Sequence, residues 1–148
     1  MTRSGCMSQI QTLIEGISTL SPAIVAVTQG PAMSIPTTPW ATYEISQVNN
    51  LEEFASLTDE SSESLILVKV FNRAPLAPQE GDTVASQQWE TMAALRTALK
   101  GDSTLGGNCD NLFINTASTG VEEINGAFYY VITAQLTIQI LSDTAVSA

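Results

Sequence analysis

The sequence predicts an α+β fold: an antiparallel or mixed β-sheet with two helices packed on one face, in the order α-β-β-β-α-β-β, ending in a long C-terminal β-hairpin. Three observations carry this. In GAFYYVITAQLTIQIL (126–141), Phe128, Tyr130, Ile132, Ala134, Leu136, Ile138 and Ile140 alternate with Thr133, Gln135, Thr137 and Gln139, the period-2 pattern of a strand with one buried face. SLILVKVFN (64–72) is nearly continuous in apolar residues, as in a central strand covered on both faces. Two further segments space their apolar residues as helices do. Strand runs interrupted by two helices favour a sheet with its helices on one side.

The first helix spans Met7 to Leu20, where Ile10, Leu13, Ile14, Ile17 and Leu20 recur at helical spacing, with Ser4 as its cap and Pro22 as its stop. Ala23 to Thr28 is β-branched and reaches Gly30, which suits a short strand. From residue 30 to 63 the chain reads as an extended arm or long loop, rich in proline and acids, with Trp40 to Val48 as the strand candidate inside it. The apolar anchors Trp40, Tyr43, Leu51, Phe54 and Leu57 favour ordering of this arm against a neighbour. RAPLAPQEGD leads into a second helix on which Val84, Trp89, Met92, Leu95, Ala98 and Leu99 approximate one face, Trp89 being read as core. Asp82 or Thr83 caps it and Gly101 ends it, with Lys100 placed favourably for the helix dipole. Leu112 to Ser118 is a strand and TGVEEIN a hairpin connection. The final strand would run about 50 Å at ~3.3 Å per residue, more than a small domain covers, so the excess is assigned to an assembly. The tail SDTAVSA is expected to fray.

At 148 residues and 44% hydrophobic content, the chain suits a single domain over 1–148 with a core that needs no disulfide. Cys6 and Cys109 lack a CxxC partner, so they read as small hydrophobes in a reducing compartment. No stretch approaches the roughly 18 apolar residues of a membrane span. Five cations oppose fifteen acids, too few to build a phosphate-tracking surface, which excludes a nucleic-acid binder. Eight of the acids fall between Glu44 and Asp82, either as a solvated face or as a functional acidic surface.

The absence of histidine removes the Ser-His-Asp and Cys-His arrangements and the commonest zinc ligand. Glu52-Glu53 and Glu122-Glu123 are adjacent pairs, which a strand sends to opposite faces and a loop leaves solvated. DESSE lacks the glycine and ligand spacing of a calcium loop, and Gly106-Gly107 sits in no phosphate-binding motif. No catalytic, cofactor or metal residue is assigned. The outward ladder Thr133, Gln135, Thr137, Gln139 is uncharged over four positions where monomeric sheets usually carry Lys or Glu. With Tyr129, Trp40 and Tyr43 it forms the candidate set for a subunit or tube interface.

The order of elements, the local sequence ALKGDSTLGG (98–107) and the closing strand YYVITAQLTIQIL together resemble the tail terminator, or tail completion, proteins of long-tailed bacteriophages, over Met7 to Leu141. The resemblance implies a structural virion protein of the tail and neck, assembled in the host cytoplasm. Such a protein is a hexameric ring that caps the head-proximal end of the tail tube, stops tube polymerisation and joins tail to head. Its partners would be further copies of itself, the tail tube protein and a neck or stopper protein. The 30–63 arm, longer than in the simplest members, would add contacts to a sheath or neck ring. DNA would pass without specific binding, with Glu80, Asp82, Glu122 and Glu123 as channel-facing candidates. No enzyme activity, cofactor or membrane contact is implied. Alternatives are another neck or tail protein, such as a head-closure stopper or tube-like subunit, and a small-ligand-binding α+β domain; a carboxylate enzyme ranks below both.

Overall fold

A computed structural model describes residues 3–20, 23–50, 62–73 and 81–140. The elements are α1 (Arg3–Glu15), β1 (Ala26–Gln29), β2 (Trp40–Asn50), β3 (Ser62–Arg73), α2 (Gly81–Lys100), β4 (Asn111–Ile124) and β5 (Ala127–Ile140). The strands form one mixed sheet in the order β1-β2-β3-β5-β4, with β1 parallel to β2 and every other pair antiparallel. The α+β class and the order α-β-β-β-α-β-β are as the sequence predicts.

Both helices lie on one face. There Cys6, Met7, Ile10 and Ile14 of α1 and Leu95 and Leu99 of α2 pack on Ala41, Tyr43, Ile66, Val68, Val70 and the even positions Ile132 to Ile140 of β5. The alternation read from β5 is thus its burial pattern. It ends at the hairpin tip, where Phe128 is 57% exposed although it shares the parity of Ile132, because the helix-packed core stops at Ile132.

Several elements differ from expectation for identifiable reasons. α1 begins at Arg3 and ends at Glu15, so Ser4 lies inside it and Gly16, not Pro22, follows its last turn; the Gly16 amide still reaches back to the Thr12 carbonyl at 3.0 Å. β3 is central, but among the described residues helices cover only one of its faces, and Leu65 and Leu67 are half-exposed on the other. Within the 30–63 stretch, 40–50 is a full strand of the sheet and 31–39 folds under the helix-free face, where Ile35 joins Phe71, Tyr129 and Val131 in a second small cluster. This part of the stretch is ordered by its own chain, while 51–61, with Leu51, Phe54 and Leu57, lies outside the described residues. So do the connector from 74 to 80 and the tail.

β4 runs on to Ile124, so the segment expected as a connection is strand. Its turn is Asn125-Gly126 alone, with φ of 52° and 80°, the left-handed pair that matches the twist of a two-residue hairpin. A register shift between Ile114 and Thr116 places an extra residue, Asn115, in the strand. Leu112 and Ile114 face the helices before this bulge and Ala117, Thr119 and Val121 after it, so the period-2 pattern breaks and the strand reads as shorter than it is.

Candidate assembly surfaces

Strand alternation sends Tyr129, Val131, Thr133, Gln135, Thr137 and Gln139 to the helix-free face, and the register sets Glu63, Leu65, Leu67, Lys69 and Phe71 of β3 beside them. From β4 come Phe113, Thr116, Ser118 and Glu122. Three members of the polar ladder, Gln135, Thr137 and Gln139, have side-chain partners on the neighbouring strands. Asn115, the exposed extra residue of the bulge, donates Nδ2 to Thr137 Oγ1 at 2.6 Å, and the Thr116 hydroxyl donates to Gln135 Oε1 at 3.3 Å. Gln139 accepts from Asn111 Nδ2 at 3.3 Å and donates Nε2 to Glu63 Oε2 at 3.2 Å, which links three strands. Lys69 Nζ lies 3.0 Å from Glu122 Oε1 and spans β5. Groups that already hold partners lose little when another surface displaces the water above them. The apolar members of the face, Leu65, Leu67 and the 48%-exposed Phe113, went unassigned as interface residues. Their signal was the apolar run of β3, whose outward positions are Leu where a wet face would be polar.

The seven interface candidates divide. Thr133, Gln135, Thr137 and Gln139 share the helix-free face as one row. Trp40 is on that face, half-buried, with Nε1 donating to Thr28 Oγ1 at 3.0 Å. Tyr129 is on it too but already covered: segment 31–39 lies over it, its hydroxyl donates to the Ile35 carbonyl at 3.3 Å, and its ring meets Phe71 edge-on at 6.4 Å. Tyr43 is on the opposite face, 2% exposed, with its hydroxyl donating to Gln11 Oε1 beneath α1. Burial and the nearby Glu15 carboxylate raise its pKa, in that order. Tyr43 is therefore a core residue and not a surface one.

The acidic candidates do not form one group. Glu122 faces the helix-free side and is paired with Lys69, whereas Glu123, opposite Phe128, has the other parity and is exposed. Glu80 lies outside the described residues, and of Asp82 only the backbone, in the first turn of α2, is described. Glu44, Glu63 and Glu122 share the helix-free face with Lys69, which leaves its described part net acidic.

A second surface lies on the other side of the molecule. Trp89, read as core, is 73% exposed; the buried stripe of α2 is Thr91, Leu95 and Leu99, and Trp89 falls outside it. Trp89 instead rims a cleft of about 550 Å³ between α2 and β4. Its floor is Leu95, Leu99, Ile114, Ala117, Ile132 and Ala134, and among the described residues its charged lining is Arg96 and Lys100. β4 is the last strand of the sheet, so its outer backbone edge is open beside this cleft.

The two cysteines, remote in sequence, come together under α1. Cys6 Sγ donates to the Asn108 carbonyl at 3.2 Å, and both thiols are buried and free. The neighbouring Cys6 sulfur, then burial, hold the Cys109 thiol far above the ordinary thiol range. Among the described residues no three His, Cys, Asp or Glu side chains gather as a metal-ligand set, and no helix is long and apolar enough to cross a membrane. Comparison with protein-family models and with curated proteins returned no match to this chain.

Proposed function

We propose that this protein is a structural subunit of a long-tailed phage virion: copies of it form a ring, of six by the resemblance, that caps the head-proximal end of the tail tube, stops tube growth and joins tail to neck. The observation that carries this reading is the helix-free face of the sheet. A face left bare in a monomer is normally studded with charges. Here the central row Thr133, Gln135, Thr137 and Gln139 is uncharged and lies beside Leu65, Leu67 and Phe113, with Glu44, Glu63, Lys69 and Glu122 around it, an apolar and neutral centre with a charged rim that suits a surface covered by protein. The β4–β5 hairpin supports the same reading, since it leaves Val121 and Phe128 each 57% exposed beyond the helix-packed core. A net charge of −10 keeps passing DNA from adhering.

The test is direct. Purified protein, alone and mixed with tail tubes, is examined by native mass spectrometry and electron microscopy. Rings seated at one end of each tube, with tube growth halted, are expected. A tube-like subunit would instead stack on itself without limit. Monomers alone, with bare tube ends, would end the ring reading.

A further inference from the structure

The cleft between α2 and β4 has the chemistry of a receptor for an acidic, amphipathic peptide. Trp89 and Met92 form an apolar wall, Ile114 and Ala117 continue it on β4, and Arg96 and Lys100 stand on the α2 side. In a chain with fifteen acids and five cations, two of those cations flank one cleft that no acid lines among the described residues. Among the described residues neither makes an ion pair. The chain also contains the complementary sequence: residues 51–61, LEEFASLTDES, carry Leu51, Phe54 and Leu57 at intervals of three together with Glu52, Glu53, Asp59 and Glu60. From the charge complementarity we infer that this cleft is the socket for residues 51–61 of a second copy of the chain.

Geometry argues for a second copy over the same one. The segment leaves β2 after Asn50 and returns at Ser62, and these two are cross-strand partners, so an excursion of eleven residues reaches about 20 Å at full stretch. Ser62 pairs with Ile140, while the floor of the cleft runs from Ile114, opposite Leu136, to Ile132, four to eight residues down β5, so it extends from about 13 to about 26 Å away. An excursion tethered at both ends would reach the near part of the floor with its tip alone, and its ends, where Leu51 lies, stay beside Asn50 and Ser62, so Leu51, Phe54 and Leu57 would not enter together. A socket on one side of a protomer and its plug at another place make a heterologous contact, and such contacts generate rings when the rotation closes. The apolar anchors would supply affinity and the charges orientation, since exposed ion pairs add little by themselves.

This inference rests on the ring reading, and its test separates the two. A peptide of residues 50–62 is titrated into the full-length Trp40→Phe protein, in which Trp89 is the only indole. A saturable blue shift of its emission is expected, weakened at least tenfold in Arg96→Glu/Lys100→Glu and by molar salt. In assembled rings, mixing Ser56→Cys chains with Thr97→Cys chains should give disulfide-linked pairs of different chains on mild oxidation. An unchanged Trp89 spectrum, equal binding by the charge-reversed protein, or no disulfide between the mixed Ser56→Cys and Thr97→Cys chains would each overturn the socket, and rings on tubes would then leave the ring reading standing. Failure of the ring reading shows differently, as monomers and bare tubes whatever the peptide does.

Discussion

Leu136 and Gln135 are adjacent on β5 and belong to opposite faces, so truncating each to Ala separates the core from the surface proposed for assembly. Leu136 is fully buried, in register between Ile66 of β3 and Ile114 of β4. Removing three carbons forfeits about 2.4 kcal/mol at ~0.8 kcal/mol per methylene. The backbone here is held by ladders on both sides and collapses little, so a residual cavity of roughly 60 Å³ adds about 1.4 kcal/mol at ~24 cal/mol per Å³. The expected cost is about 4 kcal/mol. Gln135 is half-exposed and its described bond is the 3.3 Å contact from the Thr116 hydroxyl, so its loss should cost about 0.5 kcal/mol. In urea, with a slope of ~2 kcal/mol per molar, the midpoint should fall by about 2 M for Leu136→Ala and about 0.3 M for Gln135→Ala. Unfolding is followed by circular dichroism at two protein concentrations, so that any assembly appears as concentration dependence. Equal midpoint shifts for the two variants would refute the assignment of faces, and with it the surface on which the proposed function stands.

Three further outcomes follow from the same coordinates. Gly126→Ala forces a side chain into φ of +80° although the space around it is open, so it should cost about 1 kcal/mol, while Gly120→Ala, equally uncrowded and without a positive φ, should stay within ~0.5 kcal/mol; thermal unfolding of both decides. The Cys109 thiol, held above the ordinary thiol range by Cys6 and then by burial, should resist alkylation in the native protein at pH 8.5 and react once urea unfolds it; rapid native labelling mapped to Cys109 by peptide mass would contradict this. Duplex DNA should show no mobility shift with the protein even at low salt, where attraction is greatest, and a retarded band there would contradict the electrostatic argument.

What was legible in the sequence is what depends on local periodicity. The alternation of β5, the apolar run of β3 and the helical spacing in α1 and α2 each specify an element, and the elements specify the class. What was not legible depends on relations between elements. The orientation of Trp89 is one case: α2 carries apolar residues at 89, 92, 95 and 99, and only the placement of the helix over β5 decides that Leu95 and Leu99 face inward. Tyr43 is another, since its burial follows from α1 lying over β2. The bulge at Asn115 reversed the parity of β4 and hid its true length, although Asn125-Gly126 between two β-rich runs is the strongest short hairpin signal a sequence offers. The meeting of Cys6 with Cys109 is a tertiary fact that no spacing announces.

The helix-free face poses a choice between two physical origins, and its details favour one. A face designed only to remain wet gains solubility from charge, and this chain has acids in plenty, yet at Thr133, Gln135, Thr137 and Gln139 it uses none. The bonds from Asn115, Thr116 and Asn111 and to Glu63 instead hold Thr137, Gln135 and Gln139, so part of their rotamer entropy is already lost in the monomer and is not a further cost of association. The bulge that delivers Asn115 to Thr137 would serve no purpose on a surface that water alone must satisfy. A partly preordered face with an uncharged central row and exposed apolar members, ringed by Glu44, Glu63, Lys69 and Glu122, is inexpensive to cover at its centre and oriented by charge at its rim, and this asymmetry is the physical reason to look for its partner in an assembly.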